Sequence, residues 1–285
     1  MLTFHQARQI ILNFTETTDV EKVSAHLALG RALAVEASVA ITLRQGTVLQ
    51  PVHLALLAEA GWNLIPAFEP AGIGLVAVDS ELTGNEPPEA MEPHAGVTAL
   101  AGVSGAYGAL PVDMGRTPEQ SDLHLALVRR AFDMAEFVCS LGATAQMAQD
   151  VAAVLGGEVA FTEVGHEPGG IAFVPNEEGF WFGLPADPAA ALALFYMYVL
   201  PAARKLGGHR NYDLPMLLGA VENTRDLERP RWVWARLSRE EGDFSLSLFE
   251  RSEEMTLGAA ARANVLALLG DPDSEPDTTP MFLTE

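Results

Sequence analysis

The chain has 285 residues, of which 17 are basic and 38 acidic, so its formal net charge is −21, and 49% of its residues are hydrophobic. The hydrophobic content is sufficient for one large core or two smaller ones. The negative charge opposes binding to nucleic acid or to an anionic membrane. The one cysteine, Cys139, excludes an intrachain disulfide. The longest apolar stretch, 189–203, is too short for a membrane span, and the first residues lack a secretory pattern, so we expect a cytoplasmic protein.

The first part of the chain, 1–70, is predicted to be helical with short extended pieces. Thr3 and Gln6 fit a capping box, and apolar residues then recur at helical spacing as far as Phe14. Two further helical patterns follow, at 25–35 and 51–60. We therefore expect an N-terminal helical region.

Residues 71–208 alternate between strand-like and helix-like patterns. Strands are predicted at 73–78, 109–112, 137–140, 158–164 and 179–182, and helices at 97–103, 118–132, 144–155 and 188–204. This alternation predicts an α/β fold, with a mostly parallel sheet and helices on both of its faces.

The loop at the last of these strand-to-helix junctions is a candidate ligand site. It runs from Gly183 through Leu184 and Pro185 to Asp187. Asp187 suits the N-cap and Pro188 the first position of the helix. A helix N-terminus attracts phosphate-like anions, whereas an Asp at the cap repels them. The loop therefore indicates a binding site and also argues against an anionic ligand.

After residue 208 the pattern predicts a small β domain over 209–269. Its strands are expected at 214–221, 231–237, 244–249 and 265–269, with a short helix at 257–263. The remaining segment, 270–285, is rich in carboxylates and prolines and is expected to be a disordered acidic tail.

Five segments together match motifs of one known family: Ala-Leu-Gly-Arg-Ala-Leu-Ala at 28–34, Arg-Gln-Gly-Thr-Val-Leu at 44–49, Gly-Leu-Pro-Ala-Asp-Pro at 183–188, Pro-Ala-Ala-Arg-Lys-Leu at 201–206 and Ala-Arg-Ala-Asn at 261–264. In combination they resemble the MoeA family of molybdopterin molybdenumtransferases, which includes the gephyrin E domain. The resemblance implies a homodimer with a helical first region, a three-layer, MogA-like molybdopterin-binding α/β domain and a small C-terminal β barrel. It also implies insertion of molybdenum from molybdate into adenylylated molybdopterin, with magnesium.

The chain departs from the family pattern at one whole domain. Family members carry a second domain between the first helical region and the Arg-x-Gly turn, which stands here at Arg44. Residues 37–42 lead straight into that turn, so we expect the domain to be absent after about residue 41. In the family this domain supplies acidic residues to the partner subunit's site.

The site motifs that remain are also altered. Glu81 is kept from Thr-Gly-Asp-Glu-Leu, Ser140 and Gly142 stand in Thr-Ser-Gly-Gly, and Asp150 is left of a carboxylate pair. The family's Lys-Pro-Gly-Lys reads Glu-Pro-Gly-Gly at 167–170. A carboxylate instead of an ammonium about 4 Å from a phosphate replaces attraction by repulsion, each about 4 kcal/mol at an effective dielectric of about 20.

By this resemblance the candidate ligand-binding residues are Glu81, Ser140, Gly142, Pro168, Gly169, Gly183, Leu184, Pro185 and Asp187. Asp150 is the candidate metal ligand, with a solvated helix residue as the alternative, and no catalytic residue is assigned. His94 and His166 are expected in exposed loops.

Three functions stay open. The chain is an active molybdenumtransferase, with a rebuilt site or with a protein partner that supplies the absent domain. It is instead a non-catalytic dimeric scaffold, or its pocket has been adapted to a less charged ligand. The altered motifs favour impaired or absent catalysis.

Overall fold

The computed structural model of the protein describes residues 1–79, 82, 93–119, 121–177, 179–219, 227–240, 243–274 and 279–284. The first helix, α1 (Phe4–Phe14), begins with the predicted capping box, because Thr3 Oγ1 accepts a hydrogen bond from the Gln6 N–H while the Gln6 side chain accepts one from the Thr3 N–H. The elements that follow are β1 (Val20–Val23), α2 (Ala25–Ala28), β2 (Ala37–Ser38), β3 (Thr42–Leu43), α3 (Pro51–Glu59) and β4 (Ile65–Phe68).

Helix α2 is shorter than the helix predicted over 25–35. The chain leaves the helical path at Leu29, whose ψ is 130°, and Gly30 then has a left-handed φ of 78°. Beyond this glycine the backbone bonds to a distant segment, since the Gly30 N–H donates to Leu49 O at 2.8 Å and the Leu33 N–H to Thr47 O at 2.9 Å. These long-range bonds replace the helical ones.

The turn between β2 and β3 lies where the family resemblance implies a further domain. The two strands pair antiparallel, and 39–41 are the residues that join them. A hydrogen bond from the Val39 N–H to Ile41 O at 3.0 Å closes the turn. The chain thus passes between these strands by a short hairpin.

The next part of the chain forms the predicted α/β unit. It consists of β5 (Gly72–Asp79), α4 (Ala95–Ala106), β6 (Leu110–Pro118), α5 (Ser121–Phe132), β7 (Phe137–Leu141), α6 (Ala145–Leu155), β8 (Ala172–Asn176), β9 (Gly179–Leu184), α7 (Pro188–Leu194), a π-helical segment (Phe195–Val199) and α8 (Leu200–Leu206). The sheet order is β6-β5-β7-β9-β8, with every pair parallel except β8 and β9. The predicted α/β fold with a mostly parallel sheet is confirmed.

The sheet is covered on both faces, as its nearly continuous apolar strands require. Alternate residues of β5 enter different clusters, with Leu75 on the face covered by α4 and α7 and Val76 on the face covered by α5 and α6. The helical stretch Pro188–Leu206 is long and apolar enough to cross a membrane, but 89% of its apolar window is buried inside the protein. Its apolar side chains therefore belong to the core.

One predicted strand of this unit is wrong. Residues 158–164 form no strand and make single bridges, from Phe161 to Phe173 and from Val164 to Leu2. The alternating pattern does reflect burial, because Phe161 and Val164 are both buried. The chain contacts β8 only briefly and then crosses to the start of α1, so no ladder can form.

The predicted small C-terminal β structure is a five-stranded antiparallel sheet. Its elements are β10 (Met216–Gly219), β11 (Arg231–Glu240), β12 (Asp243–Leu248), α9 (Leu257–Ala260), β13 (Val265–Leu269) and β14 (Thr279–Leu283), in the order β10-β14-β13-β11-β12. Trp232 and Trp234 lie buried between this sheet and the α/β unit, where Trp234 contacts Tyr196.

The prediction of a disordered tail over 270–285 is wrong for its last part. Strand β14 pairs with both β10 and β13. Its Phe282 is buried and packs on Trp232 with the ring centroids 5.6 Å apart. Burial of the apolar side chains of this strand stabilises it in the sheet, even though the residues that precede it are acidic.

Candidate functional site

The carboxyl ends of the four parallel strands, β6, β5, β7 and β9, lie along one side of the sheet. The direction in which the chain adds strands reverses between β5 and β7. From β5 the chain passes through α4 to β6, whereas from β7 it enters α6, which covers the opposite face. The carboxyl ends of β5 and β7 therefore form a topological switch point. In open α/β sheets, ligands bind in the crevice outside such a point.

Three polar side chains stand at the β5 and β6 side of this crevice. Asp79, at the end of β5, forms an ion pair with Arg116 of β6. His94 caps α4, since its Nδ1 accepts from the Val97 N–H at 3.3 Å. Burial and, secondly, the nearby Arg116 charge lower the pKa of His94. Among the described residues this side thus holds one ion pair, an imidazole whose charged form is disfavoured, and the nearby carboxylate of Asp113.

Sequence reasoning missed Asp79 and Arg116. The position of Asp79 directly after a buried apolar strand was a usable signal, because polar residues at the carboxyl ends of parallel strands meet at one edge. Nothing around Arg116 distinguished it from other surface arginines. His94 is half-buried, whereas an exposed loop residue was expected. Glu81, the candidate on this side, lies outside the described residues.

At two candidate glycines, Gly142 directly after β7 and Gly183 in β9, other parts of the protein occupy the space that a side chain would need. Gly142 has a left-handed φ of 82°, and a Cβ there would lie 2.6 Å from Val78 O. A Cβ on Gly183 would lie 2.7 Å from Trp181 Cη2 and 3.1 Å from the Ala143 Cβ. Both glycines are thus required by internal packing, independently of any ligand.

Ser140 lies below the edge and faces α5. It is fully buried, and its Oγ accepts a hydrogen bond from Trp181 Nε1 at 2.9 Å. The same Oγ lies 2.9 Å from His124 Nε2. Burial lowers the pKa of His124 to about 4, although the Asp150 charge acts in the opposite direction. The hydroxyl is therefore part of a buried polar group and does not enter the crevice.

The loop from Leu184 to Asp187 does reach the crevice. Leu184 O accepts from the Gly142 N–H at 2.8 Å and from the Ala143 N–H at 3.2 Å, which joins the loops after β7 and β9. Asp187 is the N-cap of α7, as predicted, and its Oδ1 accepts from the Ala190 N–H at 2.8 Å. Its exposed carboxylate places a negative charge where a phosphate would dock.

Pro168 and Gly169 lie farther along, between the α/β unit and the C-terminal sheet. The backbone of the neighbouring Glu167 forms hydrogen bonds with the start of β11. Its N–H donates to Pro230 O at 2.9 Å, and its O accepts from the Trp232 N–H at 2.8 Å. Pro168 lines a cavity of about 360 Å³. A Cβ on Gly169 would lie 2.7 Å from His166 O, so this glycine is also packed by the chain.

The charges around that cavity largely balance. Arg231 and Glu254 form an ion pair at 2.9 Å, and both side chains are almost fully buried. Glu167 and Arg251 also line the cavity and bring one charge of each sign. These four side chains therefore give the cavity no excess of positive charge.

His166, next to this segment, is buried rather than exposed in a loop. It is 4% exposed, and its Nε2 lies 2.6 Å from Tyr198 Oη. Burial lowers the pKa of His166 to about 4. The prediction failed because the loop is enclosed between α1, the π-helical segment and β11.

Asp150, the candidate metal ligand, stands on α6 away from the crevice. Its Oδ1 accepts from Gln146 Nε2 at 3.0 Å. Within the described part of the chain, Asp150 belongs to no group of three His, Cys, Asp or Glu ligand atoms close enough to surround an ion. A magnesium ion needs only one or two carboxylates beside water and substrate oxygens, so the role of Asp150 as a metal ligand stays a prediction. The loops after β7 and β9 bring together Gly142, Leu184, Pro185 and Asp187 without it.

The chain thus combines an open, mostly parallel α/β sheet, which has polar side chains at its switch point, with a small antiparallel sheet. The solved structures identify this combination as the MoeA fold. A molybdenum cofactor biosynthesis protein from Pyrococcus furiosus matches with a TM-score of 0.74 and 19% identity, covering 99% of both chains. The molybdopterin biosynthesis MoeA protein from Pyrococcus horikoshii matches with a TM-score of 0.75 and 15% identity, covering 99% of this chain and 100% of that one.

The sequence comparison leads to the same family. Molybdopterin molybdenumtransferase from Bacillus subtilis is 25% identical over 244 residues, which are 80% of this chain and 55% of the relative. That from Haemophilus influenzae is 26% identical over 189 residues, or 64% of this chain and 46% of the relative. No family model matches the chain. The resemblance to the MoeA family is confirmed, and the chain spans about half the length of these curated relatives.

Proposed function

We propose that this chain is a MoeA-like protein of molybdenum cofactor biosynthesis in which molybdenum insertion is impaired. The link to the pathway is supported by relatives that are named for it and by the shared fold. The impairment is supported by one observation above all. The two loops that the family resemblance assigns to the ligand each carry a carboxylate, Glu167 and Asp187, and internal packing leaves no room for a side chain at Gly169 or Gly183.

The electrostatic consequence concerns the phosphates of adenylylated molybdopterin. Arg116 and Arg231 stand near the two loops, but each is paired with a carboxylate, Asp79 or Glu254. With these pairs neutral, Arg251 offsets the charge of Glu167 in the cavity that both line, and the exposed Asp187 adds a negative charge toward an incoming anion. Binding of such a ligand is therefore expected to be weak.

An insertion assay tests this proposal. The full chain is incubated with adenylylated molybdopterin, molybdate and magnesium, and the cofactor formed is measured through the fluorescence of its oxidised pterin. The Bacillus subtilis molybdopterin molybdenumtransferase, run in parallel, is the positive control. We expect turnover at least about 100-fold slower, which corresponds to about 2.7 kcal/mol in the barrier. A rate equal to that of the relative contradicts the proposal.

A charge-reversal variant makes the test specific. Glu167→Lys restores the positive charge of the family motif and should strengthen ligand binding by at least about tenfold. Glu59→Lys, on the exposed end of α3, makes the same change in net charge at a distant position and should have no effect. Equal gains for both variants would mean that net charge, and not this loop, controls binding.

A second function, a non-catalytic dimeric scaffold, is supported by the surface of residues 20–64. Large apolar side chains are exposed along this part of the chain, namely Val20, Leu27, Leu29, Val35, Ile41, Val52 and Leu64. Exposed apolar side chains mark protein–protein contacts where they lie side by side. Light scattering after gel filtration should give twice the chain mass of 30.4 kDa.

A pair of variants identifies the contact surface. Leu27→Lys combined with Leu29→Lys should shift the protein toward the monomer. Leu218→Lys, on the exposed face of β10, should not. A monomer at every concentration of the unmodified protein would reject the scaffold function.

A further inference from the structure

Three potential metal ligands from distant parts of the sequence meet at the start of α1. They are His5, in the first turn of that helix, and Asp271 and Asp273, which follow β13. One ligand atom from each residue lies within 4.8 Å of the other two. This cluster lies away from the carboxyl ends of the parallel strands, although the cavity that Asp271 lines is also lined by His166.

The spacing of the cluster suits an ion better than a hydrogen bond. His5 Nε2 and Asp271 Oδ2 are 3.7 Å apart, which is too far for a hydrogen bond. Two ligands that are each about 2.1 Å from one ion can be at most about 4.2 Å apart. A separation of 3.7 Å then corresponds to an angle of about 120° at the ion. Small rotations of the exposed His5 and Asp273 side chains bring the third ligand into the same range.

Asp271 is an unusual carboxylate. Its side chain is only 2% exposed. Among the residues that the structure describes, no lysine or arginine nitrogen forms a salt bridge with it. Arg229 lines the same cavity without forming such a pair, so a bound ion would give this buried carboxylate a direct contact with a cation.

The carboxylate of Asp271 is also held in a fixed orientation. Ser274 Oγ donates to Oδ2 at 2.7 Å, and the Asp273 N–H donates to Oδ1 at 3.3 Å. Hydrogen bonds of this kind orient ligands in metal sites. Asp271 further lines a cavity of about 200 Å³, which provides room for water molecules to complete the coordination.

We propose that His5, Asp271 and Asp273 form a binding site for one divalent transition-metal ion, with Zn²⁺ as the probe. One imidazole nitrogen and two carboxylate oxygens are ligands that Zn²⁺ accepts. The imidazole disfavours Mg²⁺ and Ca²⁺, which take oxygen ligands. The bound ion connects α1 to the segment that follows β13 and so stabilises the contact between these two parts of the chain.

The test is a titration of the full, untagged chain with Zn²⁺ by calorimetry. We expect one ion per chain for the unmodified protein and a loss of affinity of at least about tenfold for His5→Ala and for Asp271→Asn. His26→Ala removes another exposed histidine, which lies in α2, and should leave the affinity unchanged. Zn²⁺ should raise the thermal midpoint of the unmodified protein and of His26→Ala, but not that of His5→Ala.

Cobalt provides an independent readout of ligation. Co²⁺ bound by a nitrogen and oxygens in a low-coordinate site gives visible absorption bands, which should be present in the unmodified protein and absent in His5→Ala. Because the His5 side chain is more than half exposed, this variant should fold normally, and circular dichroism checks that it does. Zn²⁺ binding that His5→Ala leaves unchanged, or that Mg²⁺ matches in affinity, overturns the proposal.

Discussion

The glycine at position 183 can be explained either by ligand binding or by internal packing. Its motif resembles a ligand-binding loop, yet the space above its Cα holds the Trp181 indole. Trp181 in turn donates to Ser140, so the glycine, the indole and the hydroxyl form one buried unit. The packing explanation is sufficient by itself, and a role for Gly183 in ligand binding stays a prediction.

Substitution of Gly183 separates packing from backbone effects. Gly183→Ala places a methyl group 2.7 Å from Trp181 Cη2, so we expect a loss of about 1–3 kcal/mol in the free energy of unfolding. Gly102→Ala is the matched control, because no atom lies within 4 Å of its added Cβ on α4. That variant should be stabilised by about 0.5–1 kcal/mol. Urea unfolding measures both, and equal effects would refute the packing explanation.

At the scale of elements, apolar patterns located the buried parallel strands well but missed β8 and β14, each of which contains a proline. Strands β5, β7 and β9 are buried on both faces and read as apolar runs. Strand β8 was missed because Pro175 interrupts it, and an edge strand can accommodate a proline. In β14, Pro280 pairs only toward β10, since the pairing with β13 begins at Met281. Only tertiary contacts decide such cases, and the same holds for the meeting of Asp79 with Arg116.

The N-cap of α7 offers a test at this scale. Asp187→Ala removes the acceptor of the Ala190 N–H and should cost about 1 kcal/mol of unfolding free energy. Asp187→Asn keeps an acceptor and should cost only a few tenths. If both variants lose the same amount in chemical unfolding, the negative charge and not the hydrogen bond stabilises the helix.

At the scale of the whole molecule, three buried histidines make the free energy of unfolding depend on pH. Burial lowers the pKa of His124, His166 and His209 to about 4, from an ordinary value of 6.5. The unfolded chain therefore binds protons that the folded chain excludes between these two pH values. Their contribution to stability is fully present above about pH 6.5 and is lost as the pH falls toward about 4.

The pH dependence can be assigned with single variants. The free energy of unfolding is measured in urea between pH 7 and 4.5. It should decrease by about 1–3 kcal/mol for each of the three histidines as the pH is lowered over this range. The slope of this free energy against pH reports how many more protons the unfolded chain binds than the folded chain. His124→Asn should reduce that difference by about one proton. His26→Gln, at an exposed position, should leave the slope as it is. An unchanged slope for His124→Asn would show that this histidine takes up its proton in the folded state.

The position of β14 has a consequence for how the protein is made. Among the described residues, β10 pairs with β14 alone, although some sixty residues separate the two strands in sequence. A ribosome that has translated as far as β13 has therefore released a strand that still lacks its neighbour. Its exposed Met216 and Leu218 remain available to other chains during that interval. The C-terminal sheet is thus completed only once residues 279–283 have emerged, and a premature stop before them leaves an open, aggregation-prone edge.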